Sequence, residues 1–121
     1  MRYPNTFAEI DLDNLAHNYH EMKRISGEKN VICIIKADAY GHGAVACAKK
    51  LQKEGADYFA VASVDEAEEL RINGITSPIL ILGYVPLERV DELIENDITA
   101  GVYSIMFARA LSEASRKLGR D

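Results

Sequence analysis

Four short apolar runs, at residues 31–35, 58–62, 79–82 and 99–102, are each followed by a segment with helical periodicity, and little linker separates one unit from the next. That regular alternation of strand and helix is the feature that most restricts the fold, because it indicates a parallel sheet built from βα units. The helices carry their own punctuation. Leu12, Leu15, Tyr19, Met22 and Ile25 recur at helical spacing before the first core strand, with Asp11 or Asp13 as N-cap. Ser63-Val64-Asp65-Glu66 has the form of a capping box, and Gly74 stands where a glycine ends that helix. Pro86 suits the first turn of the next helix. Ser104 can cap the last one, whose stripe is Phe107, Leu111 and Leu118.

Four such units can build an open doubly wound sheet or part of a closed barrel of eight, which typically needs about 250 residues. The segment before them, residues 6–12, alternates apolar and polar side chains like a half-exposed strand and does not fit the repeating unit. It reads as a strand that pairs with something other than these units.

The chain has 121 residues, 48% of them apolar and 27% charged, the composition of one ordinary globular domain and not of a disordered segment. A net charge of −5 with no basic stripe excludes nucleic acid and anionic membrane surfaces as general partners, so a small metabolite is the expected one. Nothing near Met1 has the form of a signal peptide, and no apolar stretch is long enough to span a bilayer, which places the protein in the cytoplasm. Cys33, in a strand run, and Cys47, in a helical pattern, lack the spacing of a metal site or redox pair and read as reduced core cysteines. No metal is expected.

The first run leads directly into Lys36-Ala37-Asp38-Ala39-Tyr40-Gly41-His42-Gly43. Alternation along the strand puts Ile32, Ile34 and Lys36 on one face and Val31, Cys33 and Ile35 on the other. An amine that shares a face with two isoleucines is poorly solvated, which favours its neutral, nucleophilic form and imine formation with a carbonyl. In parallel α/β folds the active face lies at the carboxyl ends of the strands, where Lys36 is. Tyr40 can donate to an anionic oxygen, Gly41 and Gly43 let backbone approach a ligand, and a helix beginning near Gly43 or Ala44 offers amides to a phosphate or carboxylate. Those parts suit a phosphorylated aldehyde. On spacing alone the bland reading of the octet leads: a snorkelling surface lysine with a rim aromatic, a histidine near a helix start and ordinary turn glycines.

As a whole, the octet resembles the lysine signature of the alanine racemase family. Further segments agree in order: Ala8-Glu9-Ile10-Asp11-Leu12, Gly55-Ala56-Asp57, Asp65-Glu66-Ala67 and Pro78-Ile79-Leu80-Ile81-Leu82-Gly83. The resemblance covers essentially the whole chain. It implies an α/β fold of repeated parallel βα units, about the first half of a (β/α)8 TIM-type barrel. Residues 1–121 would be part of an N-terminal pyridoxal-phosphate-binding barrel domain, with residues 1–11 the strand that in the family joins the C-terminal β domain.

The resemblance further implies pyridoxal 5′-phosphate as cofactor, held covalently by Lys36, which also acts as one of two catalytic bases. Tyr40 would contact the cofactor phosphate, and Ile34 and Leu82 would pack beside the cofactor. The implied reaction interconverts L- and D-alanine, supplying D-alanine for peptidoglycan, in a homodimer. The family's second base, a tyrosine from the partner subunit, its arginine at the pyridine nitrogen and most of its phosphate ligands correspond to no segment of these 121 residues. The chain alone is therefore expected to have little or no racemase activity. A serine racemase of the same fold, and a non-catalytic pyridoxal-phosphate-binding protein of the homeostasis type, are the alternatives; the intact octet favours the racemase.

Overall fold

The computed structural model describes residues 6–120. Four strands, β1 (Ile32–Ile34), β2 (Tyr58–Val61), β3 (Ile79–Ile81) and β4 (Thr99–Ala100), form one parallel sheet in the order β1-β2-β3-β4. All four apolar runs thus become strands, each trimmed at its ends. Sequential order without a reversal is the order of a barrel wall; a doubly wound sheet changes direction at a switch point. The open alternative left by the strand count is thereby eliminated.

Helices α1 (Leu12–Ser26), α3 (Ala44–Lys53), α4 (Val64–Ile72), α5 (Val90–Glu95) and α6 (Ile105–Leu118) flank the sheet, and α2 (Lys36–Gly41) is a short helical segment directly after β1. The starts of α1, α4 and α6 follow from side-chain oxygens that accept otherwise unpaired amides. Asp11 Oδ1 accepts from the amides of Asp13 and Asn14, which settles the N-cap of α1 on Asp11. Ser63 caps α4 through the Glu66 amide, and Ser104 caps α6 through the Phe107 amide. Pro86 lies just ahead of a 3-10 turn, Leu87–Arg89, that leads into α5, so it precedes the helix and is not within its first turn. Thr6 to Asp11 form no strand, since the described residues offer them no ladder partner, and Leu12 already belongs to α1. The rest of the predicted first strand, residues 1–5, lies outside the described residues.

The register separates the two faces of the sheet. Cys33, Phe59 and Ile79 align on one face, as do Val61, Ile81 and Ala100. Phe59 and Ile79 are both 0% exposed, packed with Ala48 and Leu51 of α3, Ala67 and Leu70 of α4 and Leu93 of α5 into one core. On the opposite face Ile32 and Ile34 keep 46% and 40% of their surface in water. One face is sealed by helices and the other is open.

At the amino ends of the strands, single side chains clamp several loops. The Arg71 guanidinium donates to the carbonyls of Ile75, Ser77, Asn96 and Asp97, joining the connection into β3 to the one into β4. Gln52 Oε1 accepts from the amides of Thr76 and Ser77. Asp57 accepts from Lys23 Nζ and from the Val31 amide, tying β2's entry to α1 and β1. No helix of the described residues is long and apolar enough to cross a membrane.

Phe59→Ala is expected to destabilise the fold by about 3–5 kcal/mol, because the sealed layer cannot collapse around the void; a denaturant titration checks it. The hydrogen bond from Lys23, with that from the Val31 amide, holds the Asp57 carboxyl below its ordinary value. A depressed carboxyl contributes stability that is present above the unfolded value and is lost as pH falls through the folded one. Asp57→Asn should therefore flatten the acid limb of a denaturation-midpoint profile while leaving less stability at neutral pH; an unchanged acid limb would contradict this.

Candidate active site

Ile35 donates its amide to the Ala60 carbonyl at 2.9 Å, so Lys36 leaves the sheet at the carboxyl end of β1. The expected alternation holds along the strand: Ile32 and Ile34 are exposed on the inner face while Ile35, facing the other way, is buried. Leu82, one residue beyond β3, continues the inner-face alternation of that strand and is 43% exposed. Lys36 is half-buried. Lys23, Lys50 and Lys117 each pair with a carboxylate, but Lys36 Nζ has no hydrogen-bond or ionic partner among the described residues. The apolar enclosure expected around Lys36 is only begun by this chain, because both isoleucines remain in contact with water.

After Lys36 the backbone does something the residue pattern does not announce. Ala37, Asp38, Ala39 and Tyr40 all adopt left-handed helical angles, with φ of 50°, 53°, 52° and 56°. Each L-residue in that region costs about 1–2 kcal/mol, so four in succession need a framework that holds them. Hydrogen bonds provide it. The Ala39 amide donates to the Ile35 carbonyl, the Gly43 amide to the Asp38 carbonyl, and both the amide and Nδ1–H of His42 to the Ala39 carbonyl. Gly41 and Gly43, at φ of 85° and 90°, continue the turn where a side chain would be strained, and a Cβ on either would meet no other part of the protein within 4 Å.

Two carboxylates complete the framework. Asp38 Oδ1 accepts from the Ala44 amide at 2.7 Å and so caps α3 from within the turn. This corrects the expectation that α3 offers its first amides to a phosphate: Ala44's amide is taken, and a negative charge already stands at that terminus. Glu66 Oε1 accepts from the Ala37 amide at 2.8 Å, and Oε2 from the Ala62 amide at 2.7 Å. The residue pattern marks Glu66 as half of a capping box, and nothing in it discloses the bond to Ala37, which is 29 positions away.

Tyr40 ends the left-handed turn with 61% of its surface exposed. Ile34 and Leu82 are exposed on the inner face towards the carboxyl ends of β1 and β3, Lys36 follows β1, and Tyr40 stands at the end of the turn after it. Gly83 permits the close passage of the loops after β2 and β3, since a Cβ there would lie 2.2 Å from the Ala62 carbonyl oxygen. Tyr103 donates to the Leu82 carbonyl at 3.0 Å, tying the loop after β4 to the same rim. A groove of about 630 Å³ runs between α1 and the edge of β1 and reaches this end of the sheet, lined by Leu15, Tyr19, Met22 and Cys33 together with Ile34 and Tyr40. Burial and the neighbouring Asp57 push the Cys33 thiol up to about 11, so it is no nucleophile at neutral pH.

Residues 10–121 match the model of a family described as alanine racemase, N-terminal domain. An alanine racemase of Clostridium perfringens is 48% identical over 114 residues, which is 94% of this chain and 30% of that protein. Among solved structures, an alanine racemase of Clostridium difficile superposes with a TM-score of 0.89 at 51% identity, over 98% of this chain and 32% of that one. A complex of the Clostridium difficile enzyme with cycloserine gives 0.84 at 52% identity over 89% of this chain and 30% of that one. The chain thus spans about 30% of the length of the curated relatives it matches.

Asp38→Ala removes the cap of α3 and one support of the left-handed turn. It should lower stability by about 1 kcal/mol, read as a shift in denaturation midpoint.

Proposed function

Because the chain belongs to the alanine racemase family, matching its N-terminal domain over residues 10–121, we propose that it supplies the lysine side of a pyridoxal-phosphate-dependent interconversion of L- and D-alanine. The observation that carries this reading is Lys36 itself: an amine with no ionic partner among the described residues, at the carboxyl end of β1, followed by a backbone turn that six hydrogen bonds hold in a strained conformation. Strain maintained in that way is characteristic of functional sites.

The residues present fit the cofactor. A phosphorylated aldehyde needs a free amine to link to, apolar walls for its ring and a donor for its phosphate. Lys36 is such an amine, Ile34 and Leu82 are exposed apolar side chains on the same face, and Tyr40 is an accessible phenol. Bound pyridoxal phosphate supplies an electron sink that acidifies the substrate α-hydrogen.

The remaining work belongs to the protein. Lys36 takes or returns the α-proton at Nζ on one face of the substrate, and a second base on the opposite face makes the exchange a racemisation. Ile34 and Leu82 exclude water from the cofactor ring, and the Tyr40 hydroxyl donates to the phosphate. In this reading the second base, the rest of the phosphate site and the other half of the barrel come from segments that the relatives have beyond the third matched here. Residues 1–11 join the C-terminal β domain, and the complete enzyme is a cytoplasmic homodimer that provides D-alanine for peptidoglycan. The open inner face and the free edges of β1 and β4 agree with a wall that further strands complete.

Pyridoxal phosphate should give a visible absorbance with this protein that is absent from Lys36→Ala, and borohydride reduction should fix the cofactor mass on the peptide containing Lys36. The 121-residue chain by itself should show no measurable conversion of L- to D-alanine. Turnover by that chain would refute the assignment of the second base elsewhere. Lysine-dependent binding without turnover by the complete protein would favour a cofactor-binding role, and no lysine-dependent absorbance at all would sink the cofactor assignment.

A further inference from the structure

We propose that Glu66 is the positioning residue for Lys36, a role that rests on the reading of Lys36 as the cofactor-bearing lysine. In a capping box the acidic side chain returns to the amide of the cap residue. Here Ser63 accepts the Glu66 amide as that motif requires, but the Glu66 carboxylate turns elsewhere. Its Oε2 takes the Ala62 amide and its Oε1 takes the Ala37 amide, in the loop after a different strand. One carboxylate therefore bridges the carboxyl ends of β1 and β2.

The Ala37 N–H belongs to the planar peptide whose carbonyl is that of Lys36. Holding that N–H fixes the peptide plane, hence ψ of Lys36 and the direction in which its side chain leaves the strand. Ala37 is also the first of the four left-handed residues, so the carboxylate acts where the strained path begins. The post to which it is tied is rigid: the Ala62 carbonyl lies against the backbone of Gly83, where even a Cβ would stand only 2.2 Å away.

Capping does not account for this arrangement, because Ala37 is no part of α4. Ion pairing does not either. The neighbouring Asp65 and Glu68 pair with Arg89, whereas both Glu66 oxygens are committed to backbone amides. Glutamine at this position has one acceptor oxygen and presents donors at the other site, so it can satisfy only one of the two amides.

The test uses the complete natural protein and compares Glu66→Gln with Ser63→Ala, which weakens the same helix terminus without touching Ala37. Pyridoxal phosphate is titrated by its lysine-dependent absorbance, and borohydride trapping at Lys36 is quantified by peptide mass. Glu66→Gln should bind the cofactor about tenfold more weakly, the factor for losing one hydrogen bond of about 1.4 kcal/mol, with far-ultraviolet circular dichroism unchanged. Ser63→Ala should lower the melting temperature and leave cofactor affinity intact. Equal affinity in Glu66→Gln and wild type overturns the role, and so does an equal loss in the two variants, which would make Glu66 a helix cap only. If Glu66→Gln does not fold, hydrogen exchange of the unmodified protein decides: a protected Ala37 amide supports the anchor and an unprotected one overturns it. A wild type that traps no cofactor at Lys36 overturns the racemase reading and this role with it, whereas trapping that Glu66→Gln does not impair overturns this role alone.

Discussion

A parallel sheet has two faces to cover, and in this chain the helices cover one. Phe59, Val61, Ile79 and Ile81 lie under α3, α4 and α5 with essentially no exposure, while Ile32, Ile34 and Leu82 on the opposite side remain in water. Everything functional depends on that asymmetry. The sealed layer supplies the hydrophobic stabilisation that keeps four short strands in register, and the open layer leaves Ile34 and Leu82 exposed at the carboxyl ends of β1 and β3.

The two ends of the sheet are specialised as well. At the amino ends, Arg71, Gln52 and Asp57 each gather two or more hydrogen bonds and lock loops together. At the carboxyl ends, acidic side chains bind backbone amides in place of cations: Asp38 takes Ala44, and Glu66 takes Ala37 and Ala62. A carboxylate accepting amides makes stronger hydrogen bonds than a neutral acceptor, which suits it to sustaining four left-handed residues that would otherwise relax. In the function proposed for Lys36 this framework has a use, since a lysine that was both to carry a cofactor and to move a proton would have to be held in one orientation.

Much of this was legible in the residues. The four apolar runs located the strands to within a few positions, and the caps at Asp11, Ser63 and Ser104 were visible because a side-chain oxygen before a periodic segment has a local reason to be there. The lysine octet pointed to the family that the comparisons identify. Other features were not legible. Alternation over residues 6–12 describes a face and not a partner; Leu12 proved to belong to α1, and Thr6 to Asp11 have no ladder among the described residues, as expected of a segment that pairs outside these units. The helix terminus read as a phosphate site already holds Asp38 on the Ala44 amide.

Residue order alone determined the fold class and the strand positions, because these rest on periodicity and local hydrogen bonding within a few residues, and its octet pointed to the family. Only the tertiary structure decided that the strands run in sequential order as a barrel wall, that one face stays open, and that Glu66 reaches the peptide of Lys36. Those are relations between segments about 30 residues apart. No periodicity encodes them, since they arise when separate βα units pack side by side and bring their loops to the same edge.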